Sequence, residues 1–142
     1  MVLVDSSAWI HFLRPDGDAE VRQRVDAALR AGLACWCAPV RLELWNGAGG
    51  DREVRALKEF ERVLPDLAIT AEVWDLACQL ARSSRRTGAS VPATDLLIMA
   101  CAHHHGADVI HADAHFDHIV DTASGEERPV ARGGERRRPR QP

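Results

Sequence analysis

The chain has 142 residues, 46% hydrophobic and 27% charged, which is enough apolar material for one core and too little length for two full domains. That composition excludes wholesale disorder. A net charge of −3, from 18 cationic and 21 acidic side chains, excludes a protein held on nucleic acid by overall charge, so such a partner must be gripped locally. Residues 1–120 carry 12 cations against 17 acids, whereas residues 121–142 carry six arginines against four acids. A folded acidic body over 1–120 and a flexible basic tail over 121–142 are the expected organisation.

Val2-Leu3-Val4 is a short apolar run that ends at Asp5 and reads as a buried strand, with Ser6 and Ser7 as N-caps for the helix that follows. Residues 14–18 form a loop by composition. Val21, Val25, Ala28 and Leu29 recur at helical spacing within 19–31, and Gly32 stops that helix. A second strand at about 33–37 leads to a helix over roughly 40–48, with Pro39 in its first turn and Glu43 inside it. Residues 51–64 and 71–84 read as an antiparallel helical pair, with a short strand at 67–69 between them.

Thr94 is the expected cap of a further helix, and the run from Leu96 to Ala102 is apolar on every side, which predicts a helix buried in the middle of the fold. Gly106 ends it. Residues 108–112 then form a last strand running into Asp113. Strands that alternate with helices predict an α/β domain with a mainly parallel central sheet, whose site lies at the carboxyl ends of the strands.

No apolar run is long enough to span a membrane, and no basic leader precedes Val2, so the expected location is cytoplasmic. Cys35, Cys37, Cys78 and Cys101 lie in apolar stretches and are expected to be buried core thiols rather than a disulfide framework. Trp9, Phe12, Trp36, Trp45, Phe60 and Trp74 fall mostly at core positions.

Four acids stand where solvated acids are not expected. Asp5 ends an apolar strand, Glu43 lies among Leu42, Leu44 and Trp45, Asp95 opens an apolar helix, and Asp113 follows a buried strand. Each has an ordinary explanation: a cap for Asp5, a favourable helix dipole for Asp95, a solvated face for Glu43, a turn for Asp113. Converging at one strand edge, however, they repel one another unless a cation neutralises them. Carboxylates without matching His or Cys suit Mg²⁺ or Mn²⁺, and such ions suit phosphodiester hydrolysis.

These residues resemble a known family. Val2 to Ser7, Glu43 on an early helix, Pro92-Ala93-Thr94-Asp95-Leu96-Leu97-Ile98, and Val109-Ile110-His111-Ala112-Asp113-Ala114-His115-Phe116-Asp117 are similar to the successive motifs of PIN-domain ribonucleases. In order, spacing and length they most resemble VapC toxins of type II toxin–antitoxin modules, over roughly residues 1–120. The resemblance implies a three-layer α/β/α sandwich, Mg²⁺- or Mn²⁺-dependent RNA cleavage, a VapB-type antitoxin and a homodimer. It implies Asp5, Glu43, Asp95 and Asp113 as the catalytic acids, with Asp5, Asp95, Asp113 and the additional acid Asp117 as metal ligands. Ser7 matches a hydroxyl that orders the pocket, and His111 departs from the Thr or Ser common at its position.

Arg82, Arg85 and Arg86 form a basic run ahead of the Asp95 motif, and His115 lies close to Asp113. A solvated helix end explains the arginines by default; contact with RNA phosphates is the functional alternative for all four. His103-His104-His105 point in different directions on a helix and cannot chelate together. A rival function keeps the fold but uses the acidic pocket to grip a basic partner peptide, without catalysis.

Overall fold

The computed structural model describes residues 1–113 and Phe116. Strands β1 (Val2–Val4), β2 (Ala34–Cys37), β3 (Asp66–Leu67) and β4 (Asp108–Ile110) form a parallel sheet in the order β3-β2-β1-β4. Helices α1 (Ser6–Leu13), α2 (Ala19–Arg30), α3 (Ala38–Gly47), α4 (Asp51–Val63), α5 (Ala71–Arg86) and α6 (Ala93–His104) complete an α/β/α sandwich among the described residues. None of these helices is long and apolar enough to cross a membrane.

The two inner strands explain their own sequences. Leu3 and Val4 are fully buried, and every residue of β2 is buried, so both strands read as continuous apolar runs instead of alternating ones. β1 pairs with β2 on one side and β4 on the other, with Val4 in register with Ile110. The strand order thus reverses at β1, which places a crevice at the carboxyl ends of β1 and β4. Asp5 leaves one strand there, and His111, Ala112 and Asp113 leave the other.

An aromatic cluster fixes the start of α1. Trp9 is fully buried, with its ring 4.6 Å from Phe60 of α4 and 5.9 Å from Phe12, and Phe60 in turn meets Trp36 of β2 edge-on at 6.5 Å. Each such pair contributes about 0.5–1.5 kcal/mol beyond burial of its area. The residues just before Trp9, including Asp5, Ser6 and Ser7, are therefore held against the core.

The structure departs from the sequence reading in five places. Asp5, not Ser6 or Ser7, is the N-cap of α1, and its carboxylate accepts from the Ser7 amide. Pro92, not Thr94, precedes α6, which has no side-chain cap. The two helices expected to pair with each other do not: α5 packs mainly along α6, and α4 lies against α3. Cys78 is exposed, as is Trp74 at 56%. Both lie on α5, whose buried stripe is Val73, Ala77, Leu80 and Ser84, so each follows a buried residue and turns about 100° away from it. By contrast Cys35, Cys37 and Cys101 are buried, and so is every residue from Leu96 to Ala102, because α6 is packed between α5, α3 and β4.

Candidate active site

Asp5 is 3% exposed, and its two oxygens do different things. Oδ2 accepts from the Ser7 amide at 3.0 Å and the Ser7 hydroxyl at 2.5 Å. Oδ1 is sealed from solvent and makes no hydrogen bond of acceptable geometry among the described residues. Capping accounts for one oxygen only. The Ser7 hydroxyl also accepts from the Ala112 amide at 3.0 Å, and the Asp5 amide donates to the Ile110 carbonyl at 2.9 Å, so Asp5 and Ser7 stitch the ends of β1 and β4 together.

Burial pushes the Asp5 carboxyl above the usual carboxylate range, and the charge of Glu43 adds to the rise. The Ser7 hydroxyl and amide, and then the Ser6 amide, pull in the opposite direction without cancelling the effect. Glu43 is half-buried on α3 and accepts from the Ser6 hydroxyl at 2.6 Å. One short segment, Asp5-Ser6-Ser7, thus holds an acid from its own strand end, an acid from α3 and the backbone after β4.

Asp95 is half-buried in the first turn of α6. Its neighbour Thr94 lines the same cavity as Glu43, where α6 packs against α3. Asp113 is half-buried after β4; its carbonyl accepts from His111 Nδ1 at 2.9 Å and from the Phe116 amide at 3.3 Å. The His111 ring stacks on Phe116, with centroids 4.9 Å apart. His111 therefore orders the turn that carries Asp113. Asp117 and His115 lie outside the described residues, as does the segment 121–142.

An orphaned, desolvated carboxylate oxygen on Asp5, with Glu43 close enough to raise the cost of its charge, suits Mg²⁺ or Mn²⁺. Among the described residues no three His, Cys, Asp or Glu side chains are arranged as a cage for a metal.

Arg82, Arg85 and Arg86 do not join the acids. They line a separate cleft at the end of α5, together with Ser84, Ala93 and Leu96. Sequence reasoning missed Ser6, whose partner Glu43 is 37 positions away. It also missed Ser84, although a signal was present: Ser84 extends the buried stripe of α5.

The PIN-domain family profile matches residues 2–121. Ribonuclease VapC11 of Mycobacterium tuberculosis is 34% identical over 123 residues, spanning 84% of this chain and 92% of that protein. Ribonuclease VapC18 of the same organism is 35% identical over 121 residues, spanning 82% of this chain and 85% of that protein. The fold is similar to that in DNA-bound VapBC from Salmonella typhimurium, with a TM-score of 0.68 at 19% identity, over 82% of this chain and 89% of that one. The chain belongs to the PIN-domain family and, within it, to the VapC ribonucleases.

Proposed function

We propose that the chain is a Mg²⁺- or Mn²⁺-dependent endoribonuclease, a toxin that hydrolyses RNA phosphodiester bonds and is held in check by a VapB-type antitoxin. The observation that carries the metal site is the divided role of Asp5, with one oxygen fixed by Ser7 and the other buried without a partner. Asp5 holds the ion directly, and Asp95, Asp113 and Asp117 hold it directly or through water. Once bound, the ion supplies an activated water near neutral pH and offsets charge developing on the phosphate.

The remaining steps fall to the chain's own residues. Glu43, held by the Ser6 hydroxyl, orients the attacking water and takes its proton. Ser7 keeps Asp5 in a single rotamer and locks the β1 and β4 ends at fixed separation. His111 and Phe116 position the turn bearing Asp113. His115 contacts an RNA phosphate.

Membership of the VapC ribonucleases supports cleavage over the rival reading of a silent peptide-gripping module. The VapBC assembly from Salmonella typhimurium supports an antitoxin partner. Exposed Leu42 and Trp74 line one largely apolar cavity between α3 and α5, a surface open to a protein partner, whether the antitoxin or a second copy in a homodimer.

Asp95→Asn tests the assignment. It keeps the size of the side chain while removing charge, so cleavage of RNA by the purified variant should fall by about two orders of magnitude or more, with the helical signal of the fold retained. Full activity in that variant contradicts the site.

A further inference from the structure

The first turn of α6 separates two concave surfaces. Thr94 faces the cavity that holds Glu43, while Ala93 and Leu96 line a second cleft of about 500 Å³ with Arg82, Ser84, Arg85, Arg86 and Val91. We propose that this second cleft is a phosphate subsite that grips the RNA backbone beside the scissile bond. The proposal rests on the ribonuclease reading and adds to it a docking site outside the acidic cluster.

Charge is the first argument. The acidic crevice repels the polyanion it must cut, so affinity for RNA has to come from cations nearby. None of Arg82, Arg85 and Arg86 forms an ion pair among the described residues. A favourable helix dipole explains Arg85 and Arg86 in the last turn of α5. It does not explain Arg82, which lies outside that turn, or the cleft they share.

The floor of the cleft is the second, independent argument. Ser84 is 2% exposed, and its hydroxyl has no hydrogen-bond partner among the described residues. Its carbonyl, by contrast, is fully used, accepting from the Ala89 amide at 3.0 Å and the Thr87 hydroxyl at 2.9 Å. Gly88, at φ 77°, allows the chain to reverse here and bring Ala89, Ser90 and Val91 back over the helix end to form a wall. A buried hydroxyl left without a partner costs stability. In a cleft shared with three arginines, the ligand that satisfies it is an anion with several acceptor oxygens.

On binding, the arginines turn onto an RNA phosphate and the Ser84 hydroxyl donates to it.

The test uses the full chain silenced by Asp95→Asn, with a labelled mixed-sequence single-stranded RNA oligonucleotide titrated over a range of salt. In that background Arg82→Ala, and the double replacement of Arg85 and Arg86 by Ala, should each lower affinity and flatten the salt dependence. The expected loss of slope is about 0.7 per phosphate contact removed. Ser84→Ala should weaken binding about tenfold at fixed salt, with a melting temperature unchanged or raised because a buried unpaired group has gone. Unchanged affinity and slope in the arginine variants overturn the proposal. So does retained RNA affinity with loss of antitoxin binding, which assigns the cleft to the protein partner. If the wild-type chain cleaves no RNA with metal while the slopes fall as described, the ribonuclease reading fails and the phosphate cleft stands.

Discussion

The acidic crevice and the basic cleft each contain a buried oxygen that makes no hydrogen bond among the described residues. The same local anomaly carries opposite meanings. At Asp5 the orphan is a carboxylate oxygen whose charge is opposed by burial and by Glu43, so it asks for a cation. At Ser84 it is a hydroxyl in a cleft shared with three arginines, so it asks for an anion. The Trp9 indole nitrogen is also without a hydrogen-bond partner among the described residues, but its ring sits in an aromatic cluster with Phe12 and Phe60. The surrounding charge, and not the missing bond alone, distinguishes a ligand site from a packing compromise.

The two regions also differ in how they are anchored, and this gives the largest predicted effect. The Asp5 segment is tied to the core through Trp9, whereas the cleft is built from the end of α5 and a connecting loop. Trp9→Ala should therefore cost about 3–5 kcal/mol of stability, measured by denaturant unfolding. A loss comparable to that of a surface substitution contradicts the anchoring. Ser84→Ala, in the other region, should cost nothing.

A smaller effect of opposite sign is expected at Asp5. Its folded carboxyl titrates above the unfolded range, so its contribution to stability is greatest at low pH and is lost as pH rises through the raised value. Asp5→Asn keeps the acceptor for Ser7 and removes the charge. In EDTA at neutral pH it should melt a few degrees higher than the wild type, a gain on the order of 1 kcal/mol, and the gap should close as pH falls below the carboxylate range. A gap that widens in acid contradicts the sign. The smallest effect is at Ser6: Ser6→Ala frees Glu43 and should lower kcat by about threefold to tenfold, the net worth of one ordinary hydrogen bond, while leaving stability nearly unchanged. A kcat equal to that of the wild type removes Glu43 positioning by Ser6 from the account.

Much of this was legible in the sequence, and for identifiable reasons. β1, β2 and α6 are buried on all sides, so uninterrupted apolar runs announced them. The acids at the strand ends stood out against that background. Partner choice was less legible, because an amphipathic face records that a helix is buried and not what covers it; hence α5 was assigned to α4 when it packs on α6. Trp74 and Cys78 have side chains typical of a core, but each lies one step off the buried stripe of α5, and position decides exposure there. The Ser6–Glu43 contact spans 37 positions and leaves no local trace. The arginine run was visible, but its separation from the acids by the first turn of α6 required the fold.

The central claim is that the crevice at the β1 and β4 ends works by holding a divalent ion against RNA. The most direct measurement is cleavage of RNA by the purified full chain in EDTA, and again after Mg²⁺ or Mn²⁺ is restored. The account predicts no cleavage in EDTA, recovery with either ion, and no recovery in Asp95→Asn. Cleavage that persists undiminished in EDTA contradicts it.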